Sequence, residues 1–147
     1  MKLQSKTNGV VGIVTITKYN TLGKILEKIS CNLIVSSGKA FIASRIIGTA
    51  QNPMSHMALG SNSTGAVNGD STLGTELGRV VLTSATSLDN VVTYTATFGA
   101  GVATGGIQEA GIFNASSAAT MGARTTFPIV NKSPTDILAV SWTWTIL

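Results

Sequence analysis

The sequence VSWTWTI at residues 140–146 alternates strictly between apolar and hydroxyl side chains. Val140, Trp142, Trp144 and Ile146 fall on one side of an extended chain, and a serine and two threonines fall on the other. This period of two is typical of a β-strand with one face in a core and the other toward solvent. Two tryptophans on such a face are more often core residues than a ligand platform. The segment therefore predicts a half-buried strand.

The same period recurs upstream, in VVTYTATF at residues 91–98. Residues 79–86 read as its partner strand, and residues 87–90, SLDN, supply turn-forming side chains between them. The pair therefore predicts a β-hairpin. Further strands are expected at residues 10–17, 25–35, 57–59, 106–113 and 121–127.

Helix is scarce in this pattern. Residues 37–47, SGKAFIASRII, place apolar side chains at helical spacing, and residues 70–78 predict a second short helix. The glycine-rich stretch at residues 58–74 lacks an apolar period and predicts a long surface loop. We expect one all-β domain over residues 1–147, an antiparallel, jelly-roll-like β-sandwich with one or two short helices. Residues 1–9 would be a basic N-terminal arm.

The charge content is low, at 11% against about 25% in ordinary soluble proteins. Residues 1–45 contain seven basic residues and one acidic residue, whereas residues 46–147 contain three and five. The basic residues are scattered and aromatic residues are few, a pattern that does not favour nucleic-acid binding. No apolar run approaches the roughly 20 residues of a membrane-spanning helix, so we expect no membrane association.

Candidate catalytic groups are few. His56 is the only histidine and Cys31 the only cysteine, and we expect Cys31 to be a small buried hydrophobe. Glu109 stands in an apolar strand, where a buried carboxylate needs a partner, and Arg124 or Arg79 could supply it. No metal-binding or nucleotide-binding spacing occurs in the sequence. We therefore expect neither an enzyme nor a cofactor.

Three groups of segments carry a resemblance to a known class of proteins. They are NLIVSSG at 32–38; MALGS at 57–61 with TLGTELGR at 72–79; and QEAGIF at 108–113, ARTTF at 123–127 and SWTWTI at 141–146. Their order resembles small structural proteins of tailed bacteriophages, from about residue 10 onward. The resemblance implies a virion component assembled in the host cytoplasm, most simply an oligomeric capsid decoration (cement) protein. A tail, collar or baseplate/fibre adaptor is the alternative, and a carbohydrate-binding module is a second.

The expected partners are further copies of the chain, as a homotrimer, together with the major capsid protein or tail and collar proteins. Lys2 and Lys6 are the candidate contacts to a capsid lattice, because they lie in the basic N-terminal segment. Asn62, Asn68 and Asp70 are the candidate contacts to neighbouring subunits, because they lie in the long loop.

Overall fold

The computed structural model describes residues 9–49 and 51–147. It confirms an all-β antiparallel fold, with one helix among these residues. The elements in chain order are β1 (Val10–Asn20), β2 (Gly23–Ile34), α1 (Ser36–Ile46), β3 (His56–Gly60), β4 (Glu76–Val81), β5 (Ser84–Leu88), β6 (Val91–Phe98), β7 (Gly105–Phe113), β8 (Met121–Lys132) and β9 (Ile137–Ile146).

The sandwich-like shape comes from one continuous sheet in the order β4-β3-β7-β8-β2-β1-β9-β6-β5. Strand β2 belongs to both halves of the sheet. Its residues from Gly23 to Asn32 pair with β1, whereas Leu33 and Ile34 pair with β8. The sheet therefore folds over at β2 and encloses a core between its two halves.

The alternating segments supply that core as their period predicts. Trp142 and Trp144 are 0% and 3% exposed. Tyr94 on β6 meets the Trp144 ring edge to face, with ring centroids 5.3 Å apart. The inner face of residues 140–144 is therefore core, whereas Ile146 at the strand end is 50% exposed, and neither indole forms an exposed aromatic platform.

The two outer edges of the sheet are joined where the chain passes from β4 to β5. The Leu82 N–H donates to the Ser55 carbonyl, 2.9 Å away, and the Thr83 N–H donates to the Thr95 carbonyl, 2.7 Å away. These bonds hold the start of β5 beside β6, immediately after the chain has left β3 and β4. The crossing therefore ties the halves together opposite the fold at β2.

The helix expected at residues 37–47 is confirmed and corresponds to α1. It packs closely on β8. A Cβ atom added at Gly38 would lie 1.9 Å from the Gly122 carbonyl oxygen, so this contact requires glycine. The Ser37 hydroxyl also donates to the Met121 carbonyl at 2.7 Å. Of the described residues, none belongs to a helix long and apolar enough to span a membrane.

Two expectations about secondary structure were wrong. Residues 70–78 form no helix, because Glu76–Val81 pairs with β3 as strand β4. The predicted strand at 79–86 is two strands, and only Ser84–Leu88 pairs with β6. The hairpin itself is confirmed, with a tighter turn than expected: Asp89 adopts a positive φ of 51°, a conformation that aspartate tolerates in turns.

Candidate functional site

The long loop at residues 61–75 is fixed to the sheet by Glu109, which is 0% exposed on β7. One carboxylate oxygen accepts the N–H groups of Asn62, at 3.2 Å, and Thr75, at 2.8 Å. The other oxygen accepts the N–H of Gly74 at 3.0 Å. Both ends of the loop are thus held by one buried side chain, which satisfies backbone donors that would otherwise be unpaired.

Arg124 on β8 completes this arrangement. Its Nε and Nη2 lie 3.0 Å and 2.9 Å from the same Glu109 oxygen, which confirms the expected ion pair. Its Nη1 donates to Asp70 at 3.0 Å, and its Nη2 also donates to the Thr64 carbonyl at 3.0 Å. A buried arginine with two carboxylate partners is fully compensated, so it has little capacity left to bind an external anion.

Arg79, the other partner considered for Glu109, contacts different groups. Its Nη2 lies 2.7 Å from a Glu76 carboxylate oxygen. Its guanidinium carbon lies 3.7 Å above the Phe113 ring, a cation–π geometry. Arg79 therefore stabilises β4 against β7 and does not take part in the loop network.

Three of the residues expected at an interface, Asn62, Asn68 and Asp70, lie in the loop, and each forms its own hydrogen bonds. The Asp70 carboxylate accepts the Val67 N–H at 2.9 Å, which adds a local bond to its ion pair with Arg124. The Asn68 carbonyl accepts the Ser36 N–H at 2.8 Å, at the start of helix α1. Asn62 accepts the Thr64 N–H through its side chain at 2.7 Å. Lys2 and Lys6 lie outside the described residues.

The loop encloses a shallow polar cavity of about 370 Å³ with Arg124 in its wall. The rest of the lining consists of hydroxyl, amide and backbone groups together with the Asp70 carboxylate and the side chains of Val67 and Leu73, and no histidine or cysteine is among them. Within 9–49 and 51–147, no cluster of three or more histidine, cysteine or acidic side chains could hold a metal ion. The arrangement can present hydrogen-bonding groups in a fixed geometry, which is a means of recognition.

Cys31 is exposed, which corrects the expectation that it is buried. It pairs with Ile13 across β1 and β2, and Ile13 is 49% exposed on the same side of the sheet. The apolar neighbour Leu33 suggested burial, but alternation along β2 places Cys31 outward while Asn32 points inward.

A second surface extends over the outside of β1, β9, β6 and β5, and sequence reasoning treated it only as the solvent side of each strand. Register aligns Thr15, Ser141, Thr95 and Ser84 in one row across these four strands. The neighbouring row contains Ile13, Thr143, Thr93 and Thr86. We call this surface the outer face.

The outer face contains no charged side chain on these four strands. Its members are Val11, Ile13, Thr15, Thr17, Ser84, Thr86, Leu88, Val91, Thr93, Thr95, Thr97, Ala139, Ser141, Thr143 and Thr145. A charged side chain stands at its border, where Glu27 on β2 lies opposite Thr17. Repeated Thr-x-Thr segments at 15–17, 93–97 and 143–145 are the sequence signal for this face.

Comparisons with protein-family models, curated proteins and solved structures returned no match for this chain.

Proposed function

We propose that this chain is a non-enzymatic structural protein of a tailed-bacteriophage particle, an oligomeric decoration protein that binds the major capsid lattice. The observation that carries the proposal is the uncharged outer face. Depletion of charged residues is typical of the buried centre of protein interfaces. A face of this kind supports association with further copies of the chain.

The chemistry of the outer face suits contact between identical surfaces. Serine and threonine hydroxyls both donate and accept hydrogen bonds, so two copies can satisfy each other without opposite charges. Ser84 and Thr95 already form such a hydroxyl pair within the chain, 2.7 Å apart. Exposed apolar side chains such as Ile13 and Leu88, 49% and 77% exposed, add area that is favourable to bury.

The loop at residues 61–75 is the proposed contact to neighbouring capsid subunits. Its backbone is ordered in advance by Glu109 and Arg124, so binding would cost less conformational entropy than it would for a free loop of this length. Several such loops joined in one oligomer would multiply the avidity for a repeating lattice.

A tail, collar or baseplate adaptor is the second candidate, because the same surfaces would serve assembly in fewer copies. The carbohydrate-binding alternative has less support, since both Trp142 and Trp144 are buried. An exposed aromatic ring is the usual stacking partner for a sugar.

Introducing a charged side chain into the uncharged outer face tests the proposal. Thr95→Arg places a cation at the centre of the outer face, and Thr21→Arg places the same cation on an exposed turn outside it. We expect the unmodified chain and Thr21→Arg to sediment as oligomers and to bind purified phage particles that lack this protein. Thr95→Arg should sediment as a monomer and bind weakly. A monomeric unmodified chain that does not bind particles would refute the proposal.

A further inference from the structure

Strands β1 and β2 separate near the first turns of helix α1. Their pairing runs from Asn20 and Gly23 to Gly12 and Asn32 and stops there. Beyond that point β1 pairs only with β9, and β2 pairs only with β8. The separation leaves a cavity of about 610 Å³ between the two strands, with α1 along one side. We call this cavity the notch.

Unpaired backbone groups face the notch from β1. The Ile146 N–H donates to the Asn90 carbonyl at 2.9 Å, and the Ile146 carbonyl accepts from the Asn90 side chain at 2.8 Å. Both backbone groups of Ile146 therefore point toward β6. Val10 stands opposite Ile146 in the register, so its own N–H and carbonyl point away from β9 and into the notch.

Unpaired backbone groups also face the notch from β2, on its opposite wall. Gly12 follows Val10 by two residues and therefore points its backbone groups toward β2, where it pairs with Asn32. Ile34 follows Asn32 by two residues, so its N–H and carbonyl point into the notch as well. Neither Val10 nor Ile34 has a strand partner on that side within the described part of the chain.

The Asn32 side chain is an independent observation that points to a ligand at this position. Its amide nitrogen and its oxygen are both buried and have no hydrogen-bond partner among the described residues. It packs so closely on Gly12 that a Cβ atom there would lie 1.6 Å from the Asn32 oxygen. An unsatisfied buried carboxamide is destabilising, and a ligand with one donor and one acceptor would remove that cost.

The remaining walls of the notch are mostly apolar, and one cation stands among them. Val11 and Ile42 contribute aliphatic surface, and among the described residues Lys39 is the one charged side chain in the lining. Lys39 is exposed, and the Asn68 amide oxygen accepts a hydrogen bond from it at 3.2 Å. Its ammonium group forms no salt bridge with a carboxylate of the described residues. A ligand for this position should be apolar along its length and negatively charged where it passes Lys39.

We propose that the notch binds an extended segment of a partner protein, which enters as an additional strand between β1 and β2. The backbone of the segment pairs with Val10 and Ile34, and its peptide groups satisfy the Asn32 carboxamide. Alternate apolar side chains pack on the notch walls, and an acidic residue lies beside Lys39. This inference does not depend on the proposed role in a phage particle.

The test uses a defined probe, the acetylated hexapeptide Val-Thr-Val-Thr-Val-Asp, and a control peptide that ends in Lys. Amide hydrogen exchange is followed by NMR, and the alkylation rate of Cys31 is measured separately, since this single cysteine lines the notch. We expect the Asp peptide to slow exchange at Val10 and Ile34 by at least about tenfold and to slow alkylation. The Lys peptide should bind several times more weakly.

Variants separate binding from folding. Asn32→Leu should retain the circular dichroism spectrum and the stability of the chain but bind the Asp peptide about tenfold more weakly. Lys39→Glu should reverse the preference between the two peptides. Lys28→Glu, a charge reversal on β2 outside the notch, should leave that preference unchanged.

Four results would overturn the inference. One is that the Val10 and Ile34 amides are already protected in the dilute protein, which would mean that the chain fills its own notch. Another is protection that rises with protein concentration alone, which would identify a second copy as the occupant. A third is an Asp peptide that changes neither exchange nor alkylation. The last is protection of Cys31 by sodium dodecanoate but not by the peptide.

Discussion

Replacing Arg124 with methionine removes the charge that compensates Glu109 while keeping a side chain of similar length. Glu109, which is 0% exposed in the unmodified chain, would then lose its ion pair with Arg124. Loss of one partner from a buried ion pair costs about 3–5 kcal/mol. A domain of this kind has a total stability of about 5–15 kcal/mol, so the variant would lose a large fraction of it.

The loss of stability in this variant should appear first as local opening of the loop at residues 61–75. Arg124→Met also removes the bonds from Arg124 to Asp70 and to the Thr64 carbonyl, so the middle of the loop is released as well. Urea denaturation followed by far-ultraviolet circular dichroism would give the change in the free energy of unfolding. Hydrogen exchange at Gly74 and Thr75 would show whether the loop opens before the rest of the sheet.

A matched control is available in the chain. Lys24 and Glu27 form an ion pair with the same 2.9 Å separation, but their side chains are 53% and 41% exposed. Lys24→Met should leave the free energy of unfolding within experimental error, because exposed pairs contribute little. If Arg124→Met unfolds at the same urea concentration as Lys24→Met, burial of the pair is not what holds the loop.

Three further predictions concern other parts of the chain. Gly38→Ala should lower the free energy of unfolding measured by urea denaturation by about 1–3 kcal/mol, because its Cβ would collide with the backbone of β8. Gly65→Ala, at a position that faces open space, should leave that free energy nearly unchanged. The backbone N–H of Ser133, and to a smaller extent a salt bridge to a lysine, holds the pKa of Asp136 below its usual range. The ionised carboxylate therefore stabilises the folded chain, and this stabilisation is lost as pH falls through the lowered pKa. Asp136→Asn should therefore be less stable at neutral pH and show a smaller stability loss on acidification below about pH 4; an unchanged acid profile would contradict this. Burial raises the pKa of Tyr94 to about 12, so Tyr94→Phe should remove the tyrosinate absorbance step near that pH, and persistence of the step would refute the assignment.

Side-chain alternation was sufficient to predict β6 and β9, two of the strands that form the core. The period-two pattern at residues 140–146 placed both tryptophans inside, and the position of Glu109 among apolar residues predicted its ion pair. These features follow from local sequence, because a half-buried strand requires alternation and a buried carboxylate requires a cation.

Features that depend on pairing between distant segments were not predictable in this way. Residues 70–78 were predicted as a helix from the i, i+4 spacing of Leu73 and Leu77, but pairing of Glu76–Val81 with β3 makes the end of that segment a strand. The outer face emerges only when Thr15, Thr95 and Thr143 are aligned by register across three strands. The notch depends on where β1 and β2 separate, and no periodicity reports that point.

Quantitative mass spectrometry of purified phage particles tests the proposed function most directly. The measured quantity is the number of copies of this 15.1 kDa chain relative to the major capsid protein. A lattice-wide decoration protein should be present at one copy per capsid subunit or a simple fraction of that ratio. A handful of copies would indicate a tail or collar component, and absence from the particle would contradict the virion role altogether.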